Sequence, residues 1–248
     1  MAATIKLKRG TSTPGTSDIA SGEVAVDTSA QKLYINDSGT VKEIGGGGGG
    51  GVTSDAQYNT KAGTNSGDSF SGTSAQFNNL FGYNTGTAIT SGDGNTAFGA
   101  QAGESISTNS YTTMIGYKAG QLNTAHWNTA VGGECMDANT SGTKNTAVGA
   151  MGLSACVTGT DNTVSGYAAG KLITGNDNTC IGSEAGDALT TGSNDLILGH
   201  GAEASAVDTS NEITLGNTAI TKFRIPGLGF ELDTDSSSGF ILDFGSVA

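Results

Sequence analysis

Apolar and polar positions follow a short motif that returns every 16 or 17 residues over most of the chain. A clear copy is Asn145-Thr146-Ala147-Val148-Gly149, in which two polar residues precede two apolar residues and a glycine. The motif glycines are Gly82, Gly99, Gly116, Gly132, Gly149, Gly166, Gly182, Gly199 and Gly216. A fixed period of this length is typical of a solenoid, in which each repeat forms one coil and stacks on the next. We therefore predict an all-β solenoid, a β-roll or β-helix, over residues 76–218.

The two positions before each motif glycine are both mostly apolar, as at Ala147 and Val148. Adjacent residues of a strand face opposite sides, so one apolar row faces the inside of the coil and the other faces outward. A single chain would expose the outward row, and association around a threefold axis would bury it. The pattern therefore predicts a homotrimer.

Two further periodic features complete each coil. A second apolar site follows the glycine, at Ile89, Ile106, Leu122, Cys156, Ile173, Leu189 and Val207, and it predicts a second strand in each coil. The motif asparagines are predicted to stack as a structural ladder, because Asn tolerates turns and bonds local backbone. They are Asn78, Asn95, Asn128, Asn145, Asn162 and Asn178.

The segments outside the repeats have different patterns. Residues 1–44 alternate with period two between turn residues, which predicts a small antiparallel β module. The seven glycines of 45–51 predict a flexible hinge, since glycine loses the most backbone entropy on ordering. Residues 52–75 are a polar connector. Residues 219–248 hold two alternating strands around a turn, and they are interpreted as a β cap that protects the open end of the solenoid or as a receptor-binding tip.

Composition narrows the function. Gly accounts for 41 of 248 residues and the hydrophobic fraction is 35%, so apolar residues must form thin layers or be shared between chains. The net charge of −12 argues against nucleic acid, which needs clustered Lys and Arg. No stretch reaches 18 apolar residues and no apolar leader follows Met1, so neither membrane insertion nor a signal peptide is expected. Cys135, Cys156 and Cys180 are interpreted as small buried hydrophobes.

The sequence contains no pattern that indicates catalysis. His126 and His200 lie in different repeats, and no metal-binding or cofactor-binding motif is present, so we expect no enzyme, metal or cofactor. Glu104, Glu134 and Glu184 follow motif glycines in separate coils, where acidic residues are ordinary.

Aromatic residues are better candidates for contact with a partner. Tyr83, Tyr117 and Tyr167 share the position after the motif glycine, and Trp127 precedes a motif asparagine. Tyr and Trp often dominate binding surfaces. The alternative interpretation is that the tyrosines pack against the neighbouring coil.

The repeats resemble the Asn-Thr-Ala-Val-Gly-Tyr-x-Ala arrays of bacteriophage tail-fibre proteins, as in Gly116-Tyr117-Lys118-Ala119-Gly120 and Gly166-Tyr167-Ala168-Ala169-Gly170. They are also similar to the β-roll heads of trimeric autotransporter adhesins. Residues 1–44 resemble the N-terminal module of phage fibre and receptor-binding proteins. That match rests on Ile5-Lys6-Leu7-Lys8-Arg9-Gly10-Thr11, Gly22-Glu23-Val24-Ala25-Val26-Asp27-Thr28 and Lys32-Leu33-Tyr34-Ile35-Asn36-Asp37.

The resemblance implies a homotrimeric virion fibre that supports adsorption to the host cell surface. Its implied partners are a phage tail or capsid protein, bound through residues 1–44, and a host glycan or protein. Many such fibres end in a long chaperone domain, whereas this chain has about 30 residues after its last repeat. A polysaccharide depolymerase fibre, a capsid decoration fibre and a bacterial trimeric adhesin stay open as alternatives.

Overall fold

A computed structural model describes residues 8–29, 32–44, 52–70, 74–225, 230–235 and 239–243. These residues form strands and turns, and none of them is helical. The predicted hinge at 45–51 lies outside the described residues, as does the turn at 236–238. The chain divides into two compact units, one of residues 1–53 with 62–64 and the other of residues 54–61 with 65–248.

The first unit contains a four-stranded sheet in the order β1 (Lys8–Gly10), β2 (Val24–Asp27), β3 (Lys32–Asp37) and β4 (Thr40–Ile44). The predicted antiparallel pairing is correct for β2, β3 and β4, but β1 pairs in parallel with β2. The connection over residues 11–23 is long enough for the crossover that a parallel pair requires.

The core of this small sheet is formed by Ile19, Ala25 and Tyr34, with Val41 packed against them. The amide of Asn36 is buried and donates a hydrogen bond to the carbonyl oxygen of Ile19 at 2.7 Å. This bond ties the crossover segment to strand β3.

The second unit is a β-solenoid built on an eleven-stranded sheet in which consecutive strands are neighbours. Its strands are β5 (Thr53–Ser54), β6 (Thr60–Ala62), β7 (Asn79–Phe81), β8 (Thr96–Phe98), β9 (Thr113–Ile115), β10 (Thr129–Val131), β11 (Thr146–Val148), β12 (Thr163–Ser165), β13 (Thr179–Ile181), β14 (Leu196–Leu198) and β15 (Ile213–Leu215). From β7 to β15 every pair is parallel, and residues at the same motif position are register partners, as Ala130 and Ala147 are. The predicted solenoid fold is therefore confirmed, and its sheet also includes β5 and β6, which lie in the segment interpreted as a connector.

The core runs along the inside of the coils. The middle residue of each strand points inward and is buried, from Leu80 in β7 to Ile197 in β14. Small residues three positions after the glycine face it, such as Ala102 and Ala119. Cys135, Cys156 and Cys180 are buried in the same core as free thiols, as predicted, and burial raises the pKa of Cys135 and Cys180 to about 12.

The second strand predicted in each coil is wrong, because the segment after each motif glycine is a series of turns. In most coils its backbone enters the left-handed region at two positions, as at Gln101 (φ 61°) and Gly103 (φ 56°), and an extended strand cannot contain such residues. Leu122 and Val207, two members of the predicted second apolar site, are exposed. Asn123 is buried in place of Leu122, and its amide donates to the carbonyl oxygen of Ala125 at 2.8 Å.

The C-terminal segment forms a three-stranded antiparallel sheet of β16 (Lys222–Ile225), β17 (Phe230–Asp235) and β18 (Gly239–Asp243). The two predicted strands correspond to β17 and β18. Strand β16 was not predicted; it pairs with β17 and places Phe223 opposite Leu232. Within the described ranges, no helix is long and apolar enough to cross a membrane.

Candidate functional site

The motif asparagines form a buried ladder along one side of the solenoid interior, which confirms the predicted stacking. Asn145 shows the pattern, since its backbone N–H donates to Oδ1 of Asn128 at 2.9 Å and its Nδ2 donates to the carbonyl oxygen of Gly159 at 2.7 Å. Its own Oδ1 accepts from the backbone N–H of Asn162 at 3.0 Å. Each side chain thus satisfies buried backbone groups in two coils, which is a structural role.

The ladder is imperfect at Asp195, which occupies the asparagine position in the coil of β14. Its Oδ1 accepts from the backbone N–H of Glu212 at 2.8 Å, but its Oδ2 is buried without a hydrogen-bond partner. In the preceding coil the corresponding Nδ2 of Asn178 donates to the carbonyl oxygen of Gly192 at 2.9 Å. A carboxylate oxygen cannot make that donation.

Asp195→Asn is therefore expected to stabilise the protein by about 1–2 kcal/mol. The substitution replaces the buried, unpaired Oδ2 with an amide nitrogen, which can donate a hydrogen bond as Nδ2 of Asn178 does in the preceding coil. The expected measurement is a rise of a few degrees in the thermal unfolding midpoint. Asp177→Asn is the matched control, since it removes the same charge from an exposed position. Equal midpoints for Asp195→Asn and the unmodified protein would contradict this interpretation of the ladder.

The outer face of the solenoid sheet carries two parallel rows of side chains. One row precedes each motif glycine and is apolar except at Ser165; its exposed apolar members include Phe98, Ile115, Val148, Ile181 and Leu215. The other row is mostly threonine, and in-register pairing of the strands aligns Thr129 with Thr146 and Thr146 with Thr163. A row of exposed aliphatic and aromatic side chains this long is unusual on a protein surface that stays in water.

The tyrosines predicted as contact residues are exposed, with Tyr83, Tyr117 and Tyr167 each about half accessible. The ammonium group of Lys118 lies 5.4 Å from the ring centre of Tyr117. Trp127 is also exposed, but it belongs to a different row, five residues before its motif glycine. The structure therefore does not bring the predicted contact residues together in one site.

Trp127 instead belongs to an aromatic row that the sequence analysis missed. Tyr58, Phe77 and Tyr111 occupy the same position in earlier coils, five residues before Gly63, Gly82 and Gly116. We call Tyr58, Phe77, Tyr111 and Trp127 the corner row. All four residues are exposed and have left-handed backbone conformations, with φ between 58° and 61°. Aligning the chain on its motif glycines would have revealed the row.

The candidate carboxylates are likewise not gathered into one site. Glu104 accepts hydrogen bonds from the amides of Gln101 at 3.2 Å and Gln121 at 2.8 Å. Glu134 and Glu184 occupy left-handed turn positions two coils and more away from it. Partial burial and a hydrogen bond to Asp187 raise the pKa of Glu203 to about 7. Burial and the nearby charge of Glu134 raise the pKa of Asp137. Of these two acidic pairs, the sequence indicated only Glu134.

In the part of the chain that the structure describes, no group of three or more His, Cys, Asp or Glu side chains is placed to hold a metal ion. Comparisons with protein-family models, with curated proteins and with solved structures found no match to this chain. The exposed rows on the solenoid surface are therefore the features from which a function can be inferred.

Proposed function

We propose that this chain is the subunit of a homotrimeric structural fibre on a bacteriophage virion, attached through residues 1–44 and supporting adsorption to the host cell. The observation that carries the proposal is the exposed apolar row on the outer sheet face. The β-solenoid fold is compatible with a fibre or an adhesin. The resemblance of residues 1–44 to phage attachment modules favours the virion.

The geometry of the outer face suits a closed assembly of identical chains. Nine strands, β7 to β15, at a spacing of about 4.8 Å give a row roughly 40 Å long that is apolar except at Ser165. The parallel register keeps this row on one face through all nine strands. Three copies that turn this face toward a common axis bury the row and leave the polar turns in solvent.

Val148→Lys is expected to convert the trimer to monomers, because three ammonium groups would meet near the axis in a desolvated apolar contact. Leu172→Lys is the matched control, since Leu172 is 42% exposed and Val148 is 43% exposed, but Leu172 lies in the turns away from the sheet. Light scattering after size-exclusion chromatography measures the mass of each variant. A trimeric Val148→Lys variant would show that the outer sheet face is not the interface.

The adsorption part of the proposal has its own test. Full-length fibre at saturating dose should reduce adsorption of the phage that carries it, because free fibre occupies the same host sites. Adsorption that stays unchanged at saturation would restrict the chain to a structural or decorative role.

A further inference from the structure

We propose that the corner row is a binding site for a neutral polysaccharide chain, an inference that rests on the fibre function proposed above and assigns its ligand class. The row is formed by Tyr58, Phe77, Tyr111 and Trp127 in the first five coils. Gly94 occupies the same position in the coil between Phe77 and Tyr111.

The backbone conformation at this corner makes aromatic residues an unusual choice. Every described coil adopts a left-handed φ here, and the later coils use Lys144, Asp161, Asp177, Asn194 and Asn211. Asp and Asn tolerate this region, whereas a bulky aromatic residue is strained by about 1 kcal/mol or more. Aromatic side chains in the early coils are therefore not selected by the fold, and this strain points to function.

Packing within the chain accounts for only part of the aromatic surface: the ring of Tyr111 lies over Gly94, where an added Cβ would be 3.0 Å from its Cδ1. The four side chains are between 54% and 71% exposed, so they contribute little to the core. Tyr58 and Phe77 stack on each other with ring centres 5.5 Å apart. Trp127 contacts His126, but among the described residues no ring contact joins Tyr111 to Trp127. Tyr111 and Trp127 therefore do not stack on another aromatic ring of the corner row.

The row is held rigidly in place by the backbone. The backbone N–H groups of Phe77, Tyr111 and Trp127 donate to carbonyl oxygens of the preceding coil at 3.1, 2.9 and 3.3 Å. A preorganised aromatic surface loses little conformational entropy when it binds a ligand.

The chemistry beside the row suits a sugar chain. Polar residues precede the row in each coil, including Gln76, Ser110 and His126, and the threonine row of the sheet lies two residues after it. Aromatic rings can cover the apolar faces of sugar rings while hydroxyl and amide groups bond their edges. One row position per coil, about 4.8 Å apart, lets an extended chain of similar units contact several rings in succession.

Charge selects a neutral ligand over an acidic one. The chain has a net charge of −12, and Asp55 and Asp93 lie near the row. The corner lysine, Lys144, lies beyond the aromatic part of the row and pairs with Asp161 at 3.9 Å. A polyanion, whether an acidic polysaccharide or a nucleic acid, would meet repulsion along this edge.

The test uses the full chain and its single tryptophan, Trp127, whose fluorescence reports on the row directly. Dextran, mannan, galactan and laminarin are the neutral probes, and alginate is the acidic probe. We expect at least one neutral polymer to shift the Trp127 emission in a saturable titration. Tyr111→Asn should weaken that binding at least tenfold while keeping the reporter, and it should not unfold the coil, because Asn occupies the same corner at 194 and 211.

Tyr117→Asn is the matched control, since Tyr117 is also exposed but lies in the other tyrosine row, and binding by this variant should be unchanged. No emission shift with any neutral probe, preferential binding of alginate, or equal weakening by Tyr111→Asn and Tyr117→Asn would each overturn the proposal. The molecular mass of the protein in the same samples, measured by light scattering, distinguishes the failure of the binding site from the failure of the trimeric fibre. A trimer that binds no neutral polysaccharide refutes the site alone, whereas a monomer refutes the fibre.

Discussion

Gly132→Ala is expected to destabilise the solenoid strongly, whereas Gly133→Ala, one residue further on, should be tolerated. A methyl group at Gly132 would lie 2.5 Å from the carbonyl oxygen of Gly149 and 2.8 Å from the backbone nitrogen of Ala150. Backbone atoms of the next coil cannot move away without breaking the parallel ladder. A φ of 141° at Gly132 adds strain for any residue with a side chain.

The adjacent glycine offers a matched control. A methyl group at Gly133 would meet only the carbonyl oxygen of Tyr117, at 4.0 Å. We expect Gly132→Ala to lower the free energy of unfolding by at least about 4 kcal/mol, a loss typical of disrupted packing. Gly133→Ala should lower it by less than about 1 kcal/mol. Thermal unfolding followed by circular dichroism should show a loss of about 10 °C or more for the first variant only. Similar unfolding midpoints for the two variants would refute the close coil stacking.

Asn145→Ala is expected to destabilise the protein by roughly 3–5 kcal/mol. The substitution leaves the carbonyl oxygen of Gly159 and the backbone N–H of Asn162 without their side-chain partners in a fully buried place, and each unsatisfied group costs about 1–3 kcal/mol. Denaturant unfolding at a fixed protein concentration measures the loss, because the stability of an oligomer depends on concentration.

The neighbouring residue supplies the control for this variant. Lys144 is exposed and left-handed, with φ 57°, so Lys144→Asn places a tolerated residue there and should change stability by less than about 1 kcal/mol. If Asn145→Ala were as stable as Lys144→Asn, the asparagine ladder would not support the coil.

The sequence predicted the features that depend on residue type alone. The glycine at 132 and its equivalents mark a close approach between coils that excludes even a methyl group, and the asparagine at 145 marks a buried backbone partner. The glycine repeats in every coil from β7 to β15 and the asparagine in most of them, with Thr112 and Asp195 among the exceptions, so both appear in the sequence as a period. The inward row of the strand was readable for the same reason, because side chains of a strand alternate with period two.

The remaining features depend on backbone conformation that residue type does not reveal. Gln101, Lys118 and Glu134 adopt left-handed turns although none of them is a residue that favours such turns, so an apolar pattern after the glycine looked like a second strand. Leu122 lies six residues after Gly116, whereas the buried position is the seventh, which Asn123 occupies here and Ile106 and Ile173 occupy in other coils. The corner row was not predicted because its aromatic residues lie in turns, and residue type alone does not show whether a turn residue is exposed. The row becomes visible in the sequence only when the coils are aligned on their motif glycines.

The central claim is that three chains share their outer sheet faces in one elongated fibre. Sedimentation velocity of the intact purified chain tests it most directly, since it reports mass and shape together. If the fibre is trimeric, we expect a species near three times 24.6 kDa with a high frictional ratio. A compact monomer would contradict it, because a single chain would then keep its apolar sheet face in water.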